Sequence, residues 1–312
     1  AVGVDTEKVV QSSGYRDLQK LGYEIVNLKA TKATVDMPVE NGRIFDQVEC
    51  WELVKKADVI ISVPKLKTHD QTEMTCAIKK LKGLLTDKAK KAMHQEGLFD
   101  GVIDLLSAVK PRLAVVDAII CQEGVGPVFG KPVEMNLVLA GKDVVAVDAV
   151  CARLIGYDPE ETLLTKNAAA RGLGVMDAAS IDVIGEPLEG VKRRFLRAIE
   201  DDPVEVEGFE LIHGEAACTG CRNTVMSALI DMRNADQLMY LPGVTVVTGK
   251  APLPADAAPD DIVTIGLCMK DNQTDRHVKG CPPNNALVVK AIIGDRAEVK
   301  RMYAEENLDK TD

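Results

Sequence analysis

Four cysteines in the last third of the chain are its tightest constraint. Cys218 and Cys221 stand in Ala-Cys-Thr-Gly-Cys-Arg, Cys268 closes the apolar run Ile-Val-Thr-Ile-Gly-Leu-Cys, and Cys281 sits in Gly-Cys-Pro-Pro. A pair spaced two apart plus two later single cysteines makes four soft thiolates, the ligand set of a cubane iron–sulfur cluster or a structural zinc. All four fall in loops at the boundaries of expected elements. Cys218 and Cys221 precede a helix expected at 222–234, whose free N–H groups and positive dipole end favour thiolates and an anionic cluster.

Cys268 follows a strand expected at 262–266, and Cys281 is followed by Pro282 and Pro283, which donate no N–H and cannot extend a strand. A Cys-Pro step also occurs at bacterial ferredoxin ligands. Gly220, Gly266 and Gly280 would let backbone approach a bulky inorganic group. Structural zinc sites pair two short-spaced motifs, whereas twelve residues separate Cys268 from Cys281. A 4Fe-4S cluster is therefore expected, with zinc as the alternative and unmetallated thiols third. Cys50, Cys76, Cys121 and Cys151 occur singly and read as small buried hydrophobes.

Bulk properties narrow the class. With 312 residues, 46% hydrophobic, the chain can bury a large core and is long enough for two domains. Its net charge of −10 argues against non-specific nucleic-acid binding and against an anionic membrane surface. No apolar run approaches the ~20 residues of a membrane span. No secretory leader is evident, and eight cysteines are too few for a disulfide scaffold of this size, so a reducing, cytoplasmic setting is expected.

Strand-like and helix-like segments alternate, which reads as α/β. Strands are expected at 23–28, 58–63, 113–117, 136–140 and 181–184, and helices near 45–56, 71–85, 97–109, 143–155 and 159–171. Gly83, Gly156 and Gly172 stand where helix C-caps are expected. The charged stretch 185–207, with Pro187 and Pro203, marks a boundary between domains at 1–190 and 204–312. The second unit reads strand 209–213, cysteine loop, helix 222–234, strands 244–248 and 262–266, cysteine loop, helix 284–293 and a charged helix over 295–307. The expected architecture is a Rossmann-like, mostly parallel sheet with a second, smaller α/β cysteine-bearing domain.

A second constellation lies in the first half. The buried-looking strand Asp58-Val-Ile-Ile-Ser-Val-Pro leads into Lys65-Leu-Lys67-Thr-His69. Lys65 and Lys67 are two apart and share a side in extended chain. Asp70 is expected to open a helix to Leu85, with Met74, Ile78, Leu81 and Leu85 on a core stripe and Lys79 and Lys82 beside Thr75 on another face. Ligands of open α/β sheets bind at the carboxyl ends of strands. A phosphate or carboxylate is the natural partner of such a lysine cluster, against the plain alternative of a solvated helix end. His69 and His94 are candidate proton carriers. Asp117 at a strand end, Glu123 in a glycine-rich turn and Asp148 in an apolar helix are candidates for acid/base, cofactor-binding or structural roles.

Several motifs in this half occur in a specific order. They are Val63-Pro-Lys-Leu-Lys-Thr-His69, Lys79-Lys-Leu-Lys-Gly83, His94 with Gly97, and Lys110-Pro-Arg-Leu-Ala-Val-Val-Asp117. Glu123-Gly-Val-Gly-Pro127 with Gly130, and Gly141-Lys-Asp-Val-Val-Ala-Val-Asp148 with Gly156, follow. Over about 10–186 the chain resembles the domain of unknown function 362 family. The resemblance implies a functional lysine cluster and an iron–sulfur association, often through an attached ferredoxin. The ferredoxin repeat is replaced here by the four C-terminal cysteines, whose Gly-Cys-Pro-Pro is similar to cluster-ligand segments of hydrogenase small subunits. The family's earlier strand bearing Lys-Pro-Asn does not occur in this sequence, and its Lys-Asn helix position reads Lys79-Lys80.

Three functions are open at this point. The first is an iron–sulfur oxidoreductase or electron-transfer protein, with Lys65, Lys67, Lys79 and Lys82 orienting a small anionic ligand and His69 or His94 moving a proton. It calls for a redox partner protein. The second is a protein that holds or delivers a cluster or cofactor without turnover. The third is a non-redox enzyme with a structural cluster or zinc. A dinucleotide fingerprint is absent, while flavin, whose sites need no short motif, stays open.

Overall fold

In a computed structural model of the chain, residues 5–127, 130–201 and 204–294 are described. The expected helix over 295–307 lies outside them. Helices α1 (Thr6–Ser12), capped by the Asp5 carboxylate, and α2 (Tyr15–Lys20) bury no residue. After α3 (Leu28–Thr31) comes an antiparallel hairpin, β1 (Thr34–Pro38) and β2 (Gln47–Trp51), and then α4 (Glu52–Lys56). A helix over 45–56 was expected, but Val48 and Cys50 are buried at period two, so the segment pairs as a strand before it turns. The segment 23–28 forms no strand; its residues stay largely exposed until Leu28 opens α3.

The first sheet is built from β3 (Ile61–Ser62), β4 (Lys65–His69), β5 (Glu73–Thr75), β6 (Leu113–Glu123) and β7 (Lys131–Gly141). β3 and β4 flank β6 in parallel, while β7 pairs β6 and β5 pairs β4 antiparallel. The α/β class holds, with a mixed sheet in this half. The strand expected at 58–63 is reduced to two paired residues, because Val59, Ile61 and Val63 point outward at the edge of the sheet. Between β5 and β6 run α5 (Ala77–Lys80), a short 3-10 turn (Leu81–Leu84), α6 (Asp87–Glu96) and α7 (Leu98–Val109). α7 is apolar on nearly every side and is buried along almost its whole length.

The helix expected over 71–85 is broken. Glu73 adopts φ 61°, a left-handed conformation that an α-helix cannot contain, and the chain makes the β4–β5 hairpin instead. The stripe Met74, Ile78, Leu81 and Leu85 is nevertheless buried, first from a strand and then from a helical turn. Gly83 falls inside the 3-10 turn rather than at a cap. α8 (Val144–Leu154), capped by Asp143, and α9 (Leu163–Ala170) cover the sheet. Gly156 and Gly172 follow them at φ 73° and 68°, as C-terminal caps require. The segment 181–184 makes no strand, and Ile184 is 96% exposed.

Short helices α10 (Leu188–Val191) and α11 (Ala198–Asp201) lead to the second sheet. It comprises β8 (Glu210–His213), β9 (Thr245–Thr248), β10 (Ile262–Ile265) and β11 (His277–Val278), all parallel, in the order β11-β10-β9-β8. α12 (Thr219–Asn234) follows β8, and α13 (Asn285–Ile293) follows β11. Two main cores form, one from 39–195 and one from 204–293 together with Val125. Val125 comes from the loop after β6 and is the first half's contribution to the second core.

Candidate functional site

Because β8 to β11 are parallel, their carboxyl ends open on one side of the sheet, where ligands of such folds bind. The four late cysteines lie there. Cys218 is the N-cap of α12 and Cys221 sits in its first turn. Cys268 follows β10 after Gly266, and Cys281 follows β11 after Gly280. The Cys218 thiol is lowered to about 6 by its hydrogen bond with Cys221 and by the N–H groups of Cys221, Gly220 and Cys218 itself at the helix start. Cys221, on the other side of that hydrogen bond and more buried, is driven up. Burial and the charges of Cys218 and Cys268 push Cys281 up to about 11.

Gly266 shows how closely the thiols meet. It has φ 95°, and a Cβ there would stand 3.1 Å from Cys221 Sγ and 3.3 Å from Cys268 Sγ. A Cβ on Gly220 would stand 3.4 Å from Cys218 Sγ and 2.9 Å from the Phe99 ring. Gly266 leaves room beside two sulfurs, whereas at Gly220 it is the Phe99 ring that a side chain would crowd. Among the described residues, no group of three or more histidine, cysteine, aspartate or glutamate side chains is arranged to hold a metal ion.

The cysteine loops dock onto the first half. The Cys281 N–H donates to the His94 carbonyl at 3.1 Å, and the Leu98 N–H donates to the Cys281 carbonyl at 2.6 Å. Gln71, in the turn between β4 and β5, donates from Nε2 to Thr224 Oγ1 at 2.9 Å and to the Pro283 carbonyl at 3.1 Å. One buried amide thus joins the helix that carries Cys221 to the loop that carries Cys281. Nearby, Glu73 accepts from Asn223 Nδ2 at 3.1 Å and pairs with Arg197 at 2.9 Å.

The lysine and histidine side chains gather against this junction. Lys82 Nζ and His94 Nε2 are 2.5 Å apart. Burial, aided by Lys79 and Lys90, lowers Lys82 to about 7, and burial with Lys67 and Lys80 nearby lowers Lys79 to about 8. Lys67 is also lowered by burial and by Lys80, and its Nζ donates to the Pro127 carbonyl at 2.9 Å. Burial and the adjacent lysines push His94 down to about 3 and His69 to about 4, so both imidazoles are neutral at pH 7. His69 Nδ1 lies 2.7 Å from Asp70 Oδ1. Although burial opposes it, hydrogen bonds from His69, Ser227 and the Gln71 backbone hold the Asp70 carboxyl below its usual range.

Other expected site residues are engaged elsewhere. A register shift in β4 opposite β6 separates Lys65 from Lys67, and Lys65 pairs with Asp117 at 2.5 Å on a half-exposed face. Glu123 accepts the Leu196 N–H at 3.1 Å. Asp148 is buried and accepts the N–H groups of Ala77 and Ile78 at 2.8 and 3.2 Å, which caps α5; burial pushes its carboxyl up to about 7. Cys50, Cys76, Cys121 and Cys151 are all buried. Gln71 and Asn223 were not legible as site residues, since neither lies in a motif and their partners are about 150 residues away in sequence.

An open cleft of about 530 Å³ lies elsewhere, lined by Asp58, Val59, Arg112, Leu113 and Lys142. None of those residues carries a buried polar atom without a partner, whereas His94, Thr75 and Asn223 do. Buried polar atoms without a partner also occur at Asn27, Tyr157, Thr165, Gln237 and His277, but those of His94 and Thr75 stand beside the lysine cluster.

Among the described residues no helix is long and apolar enough to cross a membrane. A curated relative, the thylakoid-associated protein sll1697 of Synechocystis sp. (strain ATCC 27184 / PCC 6803 / Kazusa), is 31% identical over 179 residues, covering 55% of this chain. The chain spans about half of that relative's length, 54%. No solved structure matches. The family match ends well before Cys218, so the cysteine sheet lies beyond it. Residues 1–153, with the ordered lysine, glycine and aspartate motifs, match the family described as Domain of unknown function (DUF362).

Proposed function

We propose that this chain holds an iron–sulfur cluster on Cys218, Cys221, Cys268 and Cys281 and acts as an electron-transfer protein or oxidoreductase toward an anion held by the adjoining lysine pocket. The observation that carries this reading is the placement of all four thiols at the carboxyl ends of one parallel sheet, on the helix start and loops that follow β8, β10 and β11. The donor set is soft and anionic, as iron–sulfur chemistry asks. Gly266 keeps the space beside the Cys221 and Cys268 sulfurs clear. Structural zinc, held by four sulfurs about 2.3 Å from the metal, is the competing occupant of the same donor set, and metal analysis separates the two.

When bound, the cluster supplies one-electron transfer. The chain's own residues do the rest. Lys79 and Lys82 attract and orient the anion, and the neutral His94 ring holds a proton within reach of the same place. The backbone pairing of Cys281 with His94 and Leu98 keeps the electron site and the anion site in fixed register. A scaffold that holds and hands on its cluster is the second reading, favoured by the partial exposure of Cys218, Cys268 and Cys281.

Anaerobic purification tests the proposal. The expected result is a brown protein with broad absorbance near ~400 nm and about four irons per chain, the content of a cubane. A Cys218→Ser variant should lose colour and iron together. A colourless wild-type preparation holding zinc sinks the cluster reading. Reversible reduction of the cluster supports electron transfer, whereas iron release to an apo-acceptor without cycling supports the scaffold.

A further inference from the structure

We infer that the pocket formed by Lys67, Lys79, Lys82, Thr75 and His94 is a binding site for a dianionic phosphoryl group, free phosphate or a phosphate monoester. This deepens the basic-pocket part of the proposed function and does not depend on which metal the cysteines hold.

Three observations lead there. First, charge does not balance. Lys67, Lys79 and Lys82 interact through space with one another or with Lys80, and the carboxylate that acts on the group is Asp70. Lys65, Lys90 and Lys29 are excluded, since they pair with Asp117 and Asp87. Burial and mutual repulsion pull Lys79 and Lys82 down to about 8 and 7, so the empty pocket sheds part of its ammonium charge; a bound dianion restores it, and does so more strongly than a singly charged carboxylate. Asp70 is itself occupied by His69, Ser227 and the Gln71 backbone.

Second, the site holds polar atoms with nothing to bond. Lys82 Nζ lies 2.5 Å from His94 Nε2, and in the arrangement where the ammonium donates, the other ring nitrogen, Nδ1, carries the proton. That Nδ1 is buried and has no hydrogen-bond partner. Thr75 is 7% exposed, and its hydroxyl is likewise buried and unmatched. Thr75 stands directly opposite Lys67 in the β4–β5 ladder, so the two side chains share a face of the sheet. An N–H and an O–H left unmade beside three ammonium groups call for an acceptor with several oxygens.

Third, the pocket is open to a ligand. Lys67, Lys79, Lys82 and His94 each retain part of their surface, whereas His69 is buried.

The test is calorimetric titration of the full-length chain, purified anaerobically, with inorganic phosphate and separately with acetate at pH 7.5, iron being assayed on the same sample. Saturable phosphate binding at least ten-fold tighter than acetate is expected. Lys82→Met should weaken phosphate at least ten-fold, and Thr75→Val several-fold, with far-UV circular dichroism unchanged. If Lys82→Met does not fold, Lys79→Gln serves in its place. Phosphate no tighter than acetate, or binding indifferent to all these substitutions, overturns the inference. A phosphate monoester binding more tightly than free phosphate identifies the larger ligand as the occupant, while the reverse identifies phosphate itself. Iron content bears on the cluster alone, so the two readings fail separately.

Discussion

The His94 carbonyl accepts the Cys281 N–H at 3.1 Å, while the His94 ring lies 2.5 Å from Lys82. One residue therefore touches both the cysteine loop through its backbone and the lysine pocket through its side chain. The two constellations, 187 positions apart between His94 and Cys281, meet at this residue. Four measurements follow from this arrangement.

Gln71 is the side chain that ties α12 to the Cys281 loop. Gln71→Leu removes both Nε2 hydrogen bonds and leaves Thr224 and the Pro283 carbonyl only their long 3.4 Å contact with each other, a loss of about 1–3 kcal/mol. Urea unfolding should show a lower midpoint, and a chelator should strip iron several-fold faster than from wild type. Iron release at the wild-type rate removes Gln71 from the positioning of the cysteines.

Gly266→Ala places a methyl group within 3.1 and 3.3 Å of the Cys221 and Cys268 sulfurs and forces a side chain onto φ 95°. Loss of most of the iron is expected, with the parallel sheet still evident by circular dichroism. Full iron occupancy in the variant moves the cluster away from Gly266.

Asp148 makes stability depend on pH. Its carboxyl is raised to about 7 in the folded chain, against 3.8 as an ordinary aspartate, chiefly by burial. Between those values the native state keeps a proton that the unfolded chain has released, so the contribution is complete below pH about 4 and is lost as pH rises through 7. Denaturation midpoints across pH 4 to 8 should fall more steeply in wild type than in Asp148→Asn. Equal slopes in the two proteins would falsify this assignment.

Gly126→Ala drives a Cβ to 2.0 Å from the Thr68 carbonyl, a backbone atom that cannot step aside. The loop also bonds Thr68 through the Gly124 carbonyl at 2.8 Å and Asp70 through the Gly126 carbonyl at 3.0 Å. Displacing it should cost about 1–3 kcal/mol, read as a lower melting temperature. Because Val125 sits in the second core, the loss should be felt in both halves.

Much of the fold was legible. The apolar run at 97–109, the aspartate-capped helix near 143–155 and the strand–loop–helix order of the cysteine sheet all follow from periodicity and capping. The errors share one cause. The segments 45–56 and 71–85 carry apolar residues that satisfy both a helical and a strand pattern over a few residues, and neighbouring chain decided between them. At 71–85 the left-handed Glu73, held by Arg197 and Asn223, commits the chain to a hairpin.

The sequence by itself determined the chemistry available: four soft thiolates beside glycines and a double proline, and an ordered set of lysine and histidine motifs in an α/β chain. Spacing within a loop is local, so those groups could be named without a fold. Which of them meet was decided only by tertiary structure. The β4–β5 hairpin turns Gln71 onto α12, the α6–α7 junction receives Cys281, and the bulge in β4 diverts Lys65 to Asp117. These are contacts across 50 to 210 residues of chain, set by how two sheets pack, and no local pattern encodes them.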